Sequence, residues 1–163
     1  MKKIAYLIIS IIFLNFINAC AGYKPIYTAS PQFEIIDYSL KKNKKLGRQI
    51  YSKLYNLSKS NKQNTNIHSI TIMIDITKNK AASAKDSAGK VLEYRNLLSS
   101  NIIIKDYLTD DEILNQNFSY SSTYRVQDKY SETKKIENRS TEDLINKMYQ
   151  NLLIKMSKMI IKW

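Results

Sequence analysis

A single cysteine and a single histidine are all that 163 residues hold for soft-metal or imidazole chemistry. One of each excludes a zinc cluster, a Cys–His pair, a Ser–His–Asp triad and an internal disulfide. Only three glycines are present, and no GxGxxG or phosphate-loop run can be assembled from them. The two prolines, Pro25 and Pro31, both lie near the start, so the rest of the chain is free of that helix breaker. Internal repeats are absent, and no heptad run is long enough for a coiled coil. Acidic residues are scarce too: 14 against 26 basic ones, a net charge of +12. Such a balance invites a nucleic-acid reading, yet no RRM, KH, zinc-finger or helix-turn-helix signature is found. The abundance of Lys, Ile and Asn is also what AT-rich coding alone produces.

What is present begins at residue 1. Lys2 and Lys3 precede an apolar run from residue 4 to 17, closed by Asn18-Ala19-Cys20. A charged start, a short apolar stretch and a small residue before a cleavage point describe a secretory signal. The run is shorter than the ~20 residues a membrane-spanning helix needs. A small residue followed by Cys resembles the bacterial lipobox, with Ile17 and Ala19 in place and Asn18 departing from it. That resemblance implies cleavage before Cys20 and acylation of its thiol and new amino group, with several acyl chains giving stable anchoring. Ala21 follows the cysteine, where an Asp would suggest inner-membrane retention, so the outer membrane is the expected destination. Export also removes the chain from nucleic acid. Three parts are expected: a signal peptide (1–19), a lipidated extended tether (20–32) and one domain (33–163). Loss of residues 1–19 leaves 144 residues (163 − 19), enough for a single core.

Within that domain the periodicity changes several times. Residues 33–38 (FEIIDY) read as a short first or edge strand, and 41–45 as a basic connection. Leu46, Ile50, Leu54 and Leu57 then fall on one face of an amphipathic helix, flanked by Tyr51 and Tyr55. Residues 58–66 read as a polar loop. His68, Ile70, Ile72, Ile74 and Ile76 share one parity against a mostly polar other face, the pattern of a half-buried strand. Residues 78–89 (KNKAASAKDSAG) read as a long flexible turn, 90–107 as a second strand, and 108–112 as a tight turn. Phe118, Tyr120, Tyr124 and Val126 mark a third strand of the same meander, which leaves one wet face. Ser140 to Asp143 resembles a capping box ahead of a stripe of Leu144, Met148, Leu152, Met156 and Met159. Residues 130–139 are a weaker extension of that helix. The expectation is an α+β fold, order β-α-β-β-β-α, with two amphipathic helices on one face of a four-stranded, mostly antiparallel sheet.

Chemistry is sparse. His68 reads as a rim residue at a strand end. Asp110, Asp111 and Glu112 form the densest acidic cluster, where a carboxylate pair could hydrolyse a glycan, but turns carry such residues routinely. A binding or structural protein, not an enzyme, is expected, with no metal and no cofactor. The loop lysines Lys78, Lys80, Lys85 and Lys90, with Arg95, are the candidates for charge-assisted contacts to lipid phosphate, against a plain solvated loop. Tyr94, Tyr120 and Tyr124 read as sheet packing, with contact to a partner as the alternative.

These features together resemble the LPS-assembly lipoprotein LptE family. The residues that carry the resemblance are Cys20-Ala21-Gly22-Tyr23-Lys24-Pro25-Ile26-Tyr27, close to that family's Cys-Gly-(Phe/Tyr)-(Arg/Lys)-Pro-(Leu/Ile)-Tyr opening with Ala21 as an addition. Residues 46–54 (LGRQIYSKL), 70–77 and 124–130 (YRVQDKY) follow the family's first helix, a middle strand and the entry to its last helix. The resemblance implies a lipid-anchored domain on the periplasmic side of the outer membrane. It would plug and help assemble an LptD-type β-barrel, with lipopolysaccharide as cargo. A different outer-membrane lipoprotein accessory, for barrel assembly or lipid transport, is the second expectation, and a cell-wall hydrolase the third.

Overall fold

A computed structural model describes residues 32–60 and 67–160. The signal segment, Cys20 and most of the tether lie outside the described residues. The elements are β1 (Phe33–Lys42), α1 (Lys44–Ser60), β2 (His68–Lys85), β3 (Val91–Asp106), β4 (Glu112–Arg125) and α2 (Tyr130–Ile160). They form one four-stranded sheet in the order β1-β2-β3-β4. The pair β1–β2 is parallel and joined through α1, while β2–β3 and β3–β4 are antiparallel. The expected α+β order is the observed one.

One face of the sheet carries the core. Ile70, Ile72, Ile74 and Ile76 of β2, with Leu98, Ile102 and Ile104 of β3, are almost wholly buried. They pack with Ile50 and Leu54 of α1 and Ile145, Met148 and Leu152 of α2 in a single cluster. The opposite parity is mostly polar, with Met73, Leu97 and Ile103 as exceptions: Thr77, Ser99, Asn101, Asn117 and Ser119 sit in adjacent cross-strand positions. Asn101 donates from Nδ2 to the Oδ1 atoms of Asn115 (3.0 Å) and Asn117 (2.9 Å), lacing that open face together.

Strand β1 is longer than the FEIIDY run, because Lys41 and Lys42 pair on through Asp75 and Ile76 instead of forming a connection. A bulge at Ile36 resets its parity. Phe33 and Ile35 before it, and Tyr38 and Leu40 after it, can therefore all face the helix layer, where Tyr38 stacks on Tyr51 at 4.0 Å. Lys42 leaves the strand at φ 57°, and Asn43 caps α1, its Oδ1 accepting from Leu46 N at 3.2 Å. Gly47 is buried where α1 passes over β1. A Cβ there would lie 3.2 Å from Leu40 Cδ2, so the bare backbone permits the approach.

Three expected boundaries are corrected. Residues 78–85 belong to β2, paired with β3 as far as Val91, and only the Asp86 region turns. Small residues such as Ala81, Ala82 and Ala84 look like linker in composition but suit an exposed strand once β3 supplies its hydrogen bonds. Helix α1 continues to Ser60, with residues 61–66 outside the described set. The stretch Ser140–Asp143 is not a cap, since α2 starts ten residues earlier at Tyr130 and Ser140 lies buried in its middle. Met159, read as part of the buried stripe, is partly exposed.

Candidate functional site

Helix α2 rests on the sheet with two chemically different halves. Leu144, Ile145, Met148, Leu152 and Met156 continue the apolar core, whereas the buried positions upstream are Thr133, Glu137, Ser140 and Thr141. The helical spacing is unbroken, but its chemistry changes from apolar to polar. The sheet beneath changes with it, offering Lys78, Lys80 and the fully buried Asn96. Asn96 Nδ2 donates to Ser140 Oγ at 3.3 Å and Thr141 Oγ1 at 3.4 Å. Thr141 in turn donates to the Glu137 carbonyl at 2.8 Å.

Glu137 is the centre of this seam. Its side chain is only 8% exposed, and Lys78 Nζ donates to Oε1 at 2.8 Å and Lys80 Nζ to Oε2 at 3.0 Å. Lys134 stands 3.4 Å from Oε2 on the solvent side. Burial would raise the Glu137 carboxyl, but the hydrogen bonds and charges of Lys78 and Lys80 outweigh it and hold the pKa at about 2. The Lys80 ammonium also lies 4.0 Å above the Tyr94 ring and 5.7 Å from that of Tyr124. Burial pushes the Tyr124 phenol up. Its Oη and the Asn96 Oδ1 have no hydrogen-bond partner among the described residues.

The basic residues singled out from sequence do not form one patch. Lys78 and Lys80 point at the helix layer and are paired with Glu137. Lys85 and Lys90 are exposed at the β2–β3 hairpin end. Arg95 is exposed and sits cross-strand from Ala81 and Thr123, on the parity of the open face. Tyr94, Tyr120 and Tyr124 lie on the helix-side parity, where Tyr94 meets Tyr124 at 6.0 Å and Tyr120 meets Phe118 at 6.4 Å.

A different set of cations is brought together by the tertiary structure. An open groove of about 1220 Å³ runs between the first half of α1 and the first half of α2. Lys44, Lys45, Arg48 and Lys53 line one side, and Lys78 and Lys134, both paired with Glu137, the other, with Glu142 the one carboxylate among the described residues of its wall. Sequence reasoning treated residues 41–45 as a solvated connection. The signal that marks them is that Lys44 and Lys45 open a helix whose first turn has no acidic residue.

At the far end of the sheet, His68 is exposed at the start of β2. It lines a small cleft of about 100 Å³ with Ile70, Ile104 and Met156. The acidic cluster Asp110, Asp111 and Glu112 lies nearby, at the β3–β4 turn that Asp106 organises. Asp106 Oδ1 accepts from Leu108 N (2.8 Å) and Thr109 N (3.0 Å), and these bonds, Thr109's foremost, lower its pKa. Asp110 adopts φ 61° and pairs with Lys105 at 2.9 Å. Among the described residues no three His, Cys, Asp or Glu side chains converge as a metal site, and no helix is long and apolar enough to cross a membrane.

Comparison of this architecture with solved structures is decisive for the fold. The domain is similar to rare lipoprotein B from Shewanella oneidensis (TM-score 0.54, 12% identity), with 77% of this chain and 97% of that one aligned. The fold is one that bacterial lipoproteins share. A minor lipoprotein from Acinetobacter baumannii aligns with TM-score 0.52 and 15% identity over 77% of this chain and 93% of its own. Lipoprotein B from Nitrosomonas europaea aligns with TM-score 0.52 and 16% identity over 81% and 88%. No family model and no curated relative matches the sequence.

Proposed function

We propose that this protein is an outer-membrane lipoprotein of the LptE type, anchored through Cys20. In this reading it plugs and helps to assemble an LptD-type β-barrel through which lipopolysaccharide reaches the outer leaflet. The observation that carries the reading is the coincidence of two independent features. A lipobox-like Cys20 stands directly ahead of a domain whose fold aligns with nearly the full length of small bacterial lipoproteins. The exposed sheet face supports the plug role: its central residues Ser99, Asn101, Asn117 and Ser119 are polar and uncharged, with Glu93, Arg95 and Arg125 toward one end and Lys105 toward the other, a surface compatible with the polar, wet interior of a large outer-membrane barrel. The role in this reading is binding and assembly; of the acidic residues with catalytic potential, Asp110 pairs with Lys105 and Glu112 accepts from Asn115.

The test is a pull-down of the full chain from detergent-solubilised outer membrane, with mass identification of what accompanies it. One large β-barrel in about one-to-one ratio, lost when the core is disrupted, is the expected result. Recovery with a different barrel or an inner-membrane transporter would instead identify an accessory of barrel assembly or lipid transport.

A further inference from the structure

We infer that one end of the domain, where the tether enters it, docks on the surface of a lipid bilayer. The docking face is the rim of the small cleft beside His68, formed by the start of β2, the β3–β4 turn and the end of α2. The inference rests on the lipoprotein reading above, because an anchor at Cys20 is what holds this end beside a leaflet.

Three observations converge on it. The first is a group of exposed apolar side chains, Ile67, Tyr107, Leu108 and Met159, around that one cleft. Ile67 precedes His68 of the cleft wall, Tyr107 and Leu108 lie between Asp106 and Thr109 of the same wall, and Met159 is itself part of it. The Tyr107 amide donates to the Ser69 carbonyl at 2.9 Å, which ties the turn to the start of β2. Beneath this rim the floor is also apolar, with Ile70, Ile104 and Met156. Apolar residues exposed singly are ordinary, but a group sharing an apolar floor marks a contact surface.

The second observation is how Leu108 is held. Turns favour Gly, Pro, Asn, Asp and Ser, yet this one presents a leucine that is 83% exposed. Asp106 Oδ1 accepts from the Leu108 and Thr109 amides, and the Asp106 carbonyl accepts from Asp110 N at 3.1 Å. A turn fixed in this way offers the side chain outward, so little ordering is left to oppose binding. The third is where the tether enters. Phe33 begins β1 beside His68, whose amide donates to the Gln32 carbonyl at 3.4 Å. Only residues 21–31 separate Cys20 from Gln32, a reach of about 40 Å at ~3.3–3.6 Å per residue. The β2–β3 hairpin lies at the other end of the 16-residue β3, about 50 Å away at ~3.3 Å per residue. The leash therefore favours one end of the domain, and it makes contact with the leaflet intramolecular, so that a few apolar side chains suffice. Charge at this end is mixed, Lys155 and Lys158 against Asp106 and Asp111, so apolar burial drives the docking and salt does not screen it.

The experiment uses the protein purified from membranes in detergent and reconstituted into phosphatidylcholine vesicles. Acylation removes the Cys20 thiol, so Leu108→Cys supplies one position for bimane at the turn and Lys85→Cys one near the hairpin. Both positions are exposed, and circular dichroism verifies that each variant folds. The quencher is bromine on the acyl chains of phosphatidylcholine, within range of a group buried ~5–10 Å into the headgroup boundary. Bimane at position 108 is expected to lose about half its emission or more in brominated vesicles, at low and high salt alike. Bimane at position 85 is expected to be unaffected. Adding Ile67→Gln/Tyr107→Gln/Met159→Gln to the Leu108→Cys chain is expected to reduce the quenching to the level of position 85. Equal quenching at both positions, or none at 108, would overturn the docking. Quenching that survives the triple substitution would overturn it too, since the tether alone would then bring the turn to the leaflet. Quenching lost at high salt would make charge the driver and overturn the apolar face. The wild-type chain reports separately on the anchor: no uptake of bimane agrees with an acylated Cys20, whereas one label per chain would overturn the lipoprotein reading itself.

Discussion

Replacing Glu137 by Gln keeps the size of the side chain and one carbonyl acceptor, but it removes the charge that Lys78, Lys80 and Lys134 share. The carboxyl sits at about 2 in the folded protein against an ordinary value of 4.5. At 1.36 kcal/mol per pH unit that displacement corresponds to about 3 kcal/mol of stability held by the ionised form. The figure is an upper bound: Lys80 and Lys134 remain 35% and 49% exposed and recover hydration when their partner is lost, which leaves about 2 kcal/mol for the substitution at neutral pH. The sign follows from the direction of the displacement. Because the folded carboxyl is more acidic than the unfolded one, its contribution is complete above pH 4.5. It declines as the pH falls from there toward 2 and vanishes below. Urea unfolding followed by far-UV circular dichroism is the assay, for wild type and Glu137→Gln at pH 7 and at pH 3. The variant is expected to unfold at lower urea at pH 7, and the gap is expected to narrow at pH 3. A variant as stable as wild type at pH 7, or a gap that stays constant between the two pH values, would refute the assignment of Glu137 as an ionised clamp.

Other expectations rest on single contacts. Asn43→Ala removes the acceptor for Leu46 N at the start of α1 and should destabilise by about 1 kcal/mol, read from the same urea midpoints. Gly47→Ala should stay within about 1 kcal/mol of wild type, because its helix-propensity gain is set against a Leu40 side chain 3.2 Å away. Gly47→Val, with more bulk at the same crossing, should cost about 1–3 kcal/mol by overpacking. Ile74→Ala empties a position that is 0% exposed at the centre of the sheet and should cost about 2–5 kcal/mol, with the native fold retained in near-UV circular dichroism at low temperature.

The amino-acid sequence by itself determined the class of the molecule. The alternation of His68, Ile70, Ile72, Ile74 and Ile76 fixes which face of β2 is buried, and the helical spacing of Leu46, Ile50 and Leu54 fixes the inner face of α1. Those patterns are legible because apolar burial dominates folding and repeats with the period of the backbone. The expected export signal and acylated Cys20 rest on the sequence alone and lie outside the described residues. Tertiary structure decided what apolar periodicity does not encode. Residues 78–85 look like linker until β3 pairs with them. Residues 130–143 look like the approach to a helix because their buried stripe, Thr133, Glu137 and Thr141, is polar. It becomes a packing face only when Lys78, Lys80 and Asn96 lie beneath it. The same holds for the basic residues. One run along the chain suggested Lys78, Lys80, Lys85, Lys90 and Arg95 as a patch, but a strand sends alternate side chains to opposite faces and carries its ends far apart. The fold disperses that set, and it gathers Lys44, Lys45 and Arg48 from α1 with Lys78 from β2 and Lys134 from α2. Charge clustering between distant segments is a property of the packed helices, and no periodicity along the chain announces it.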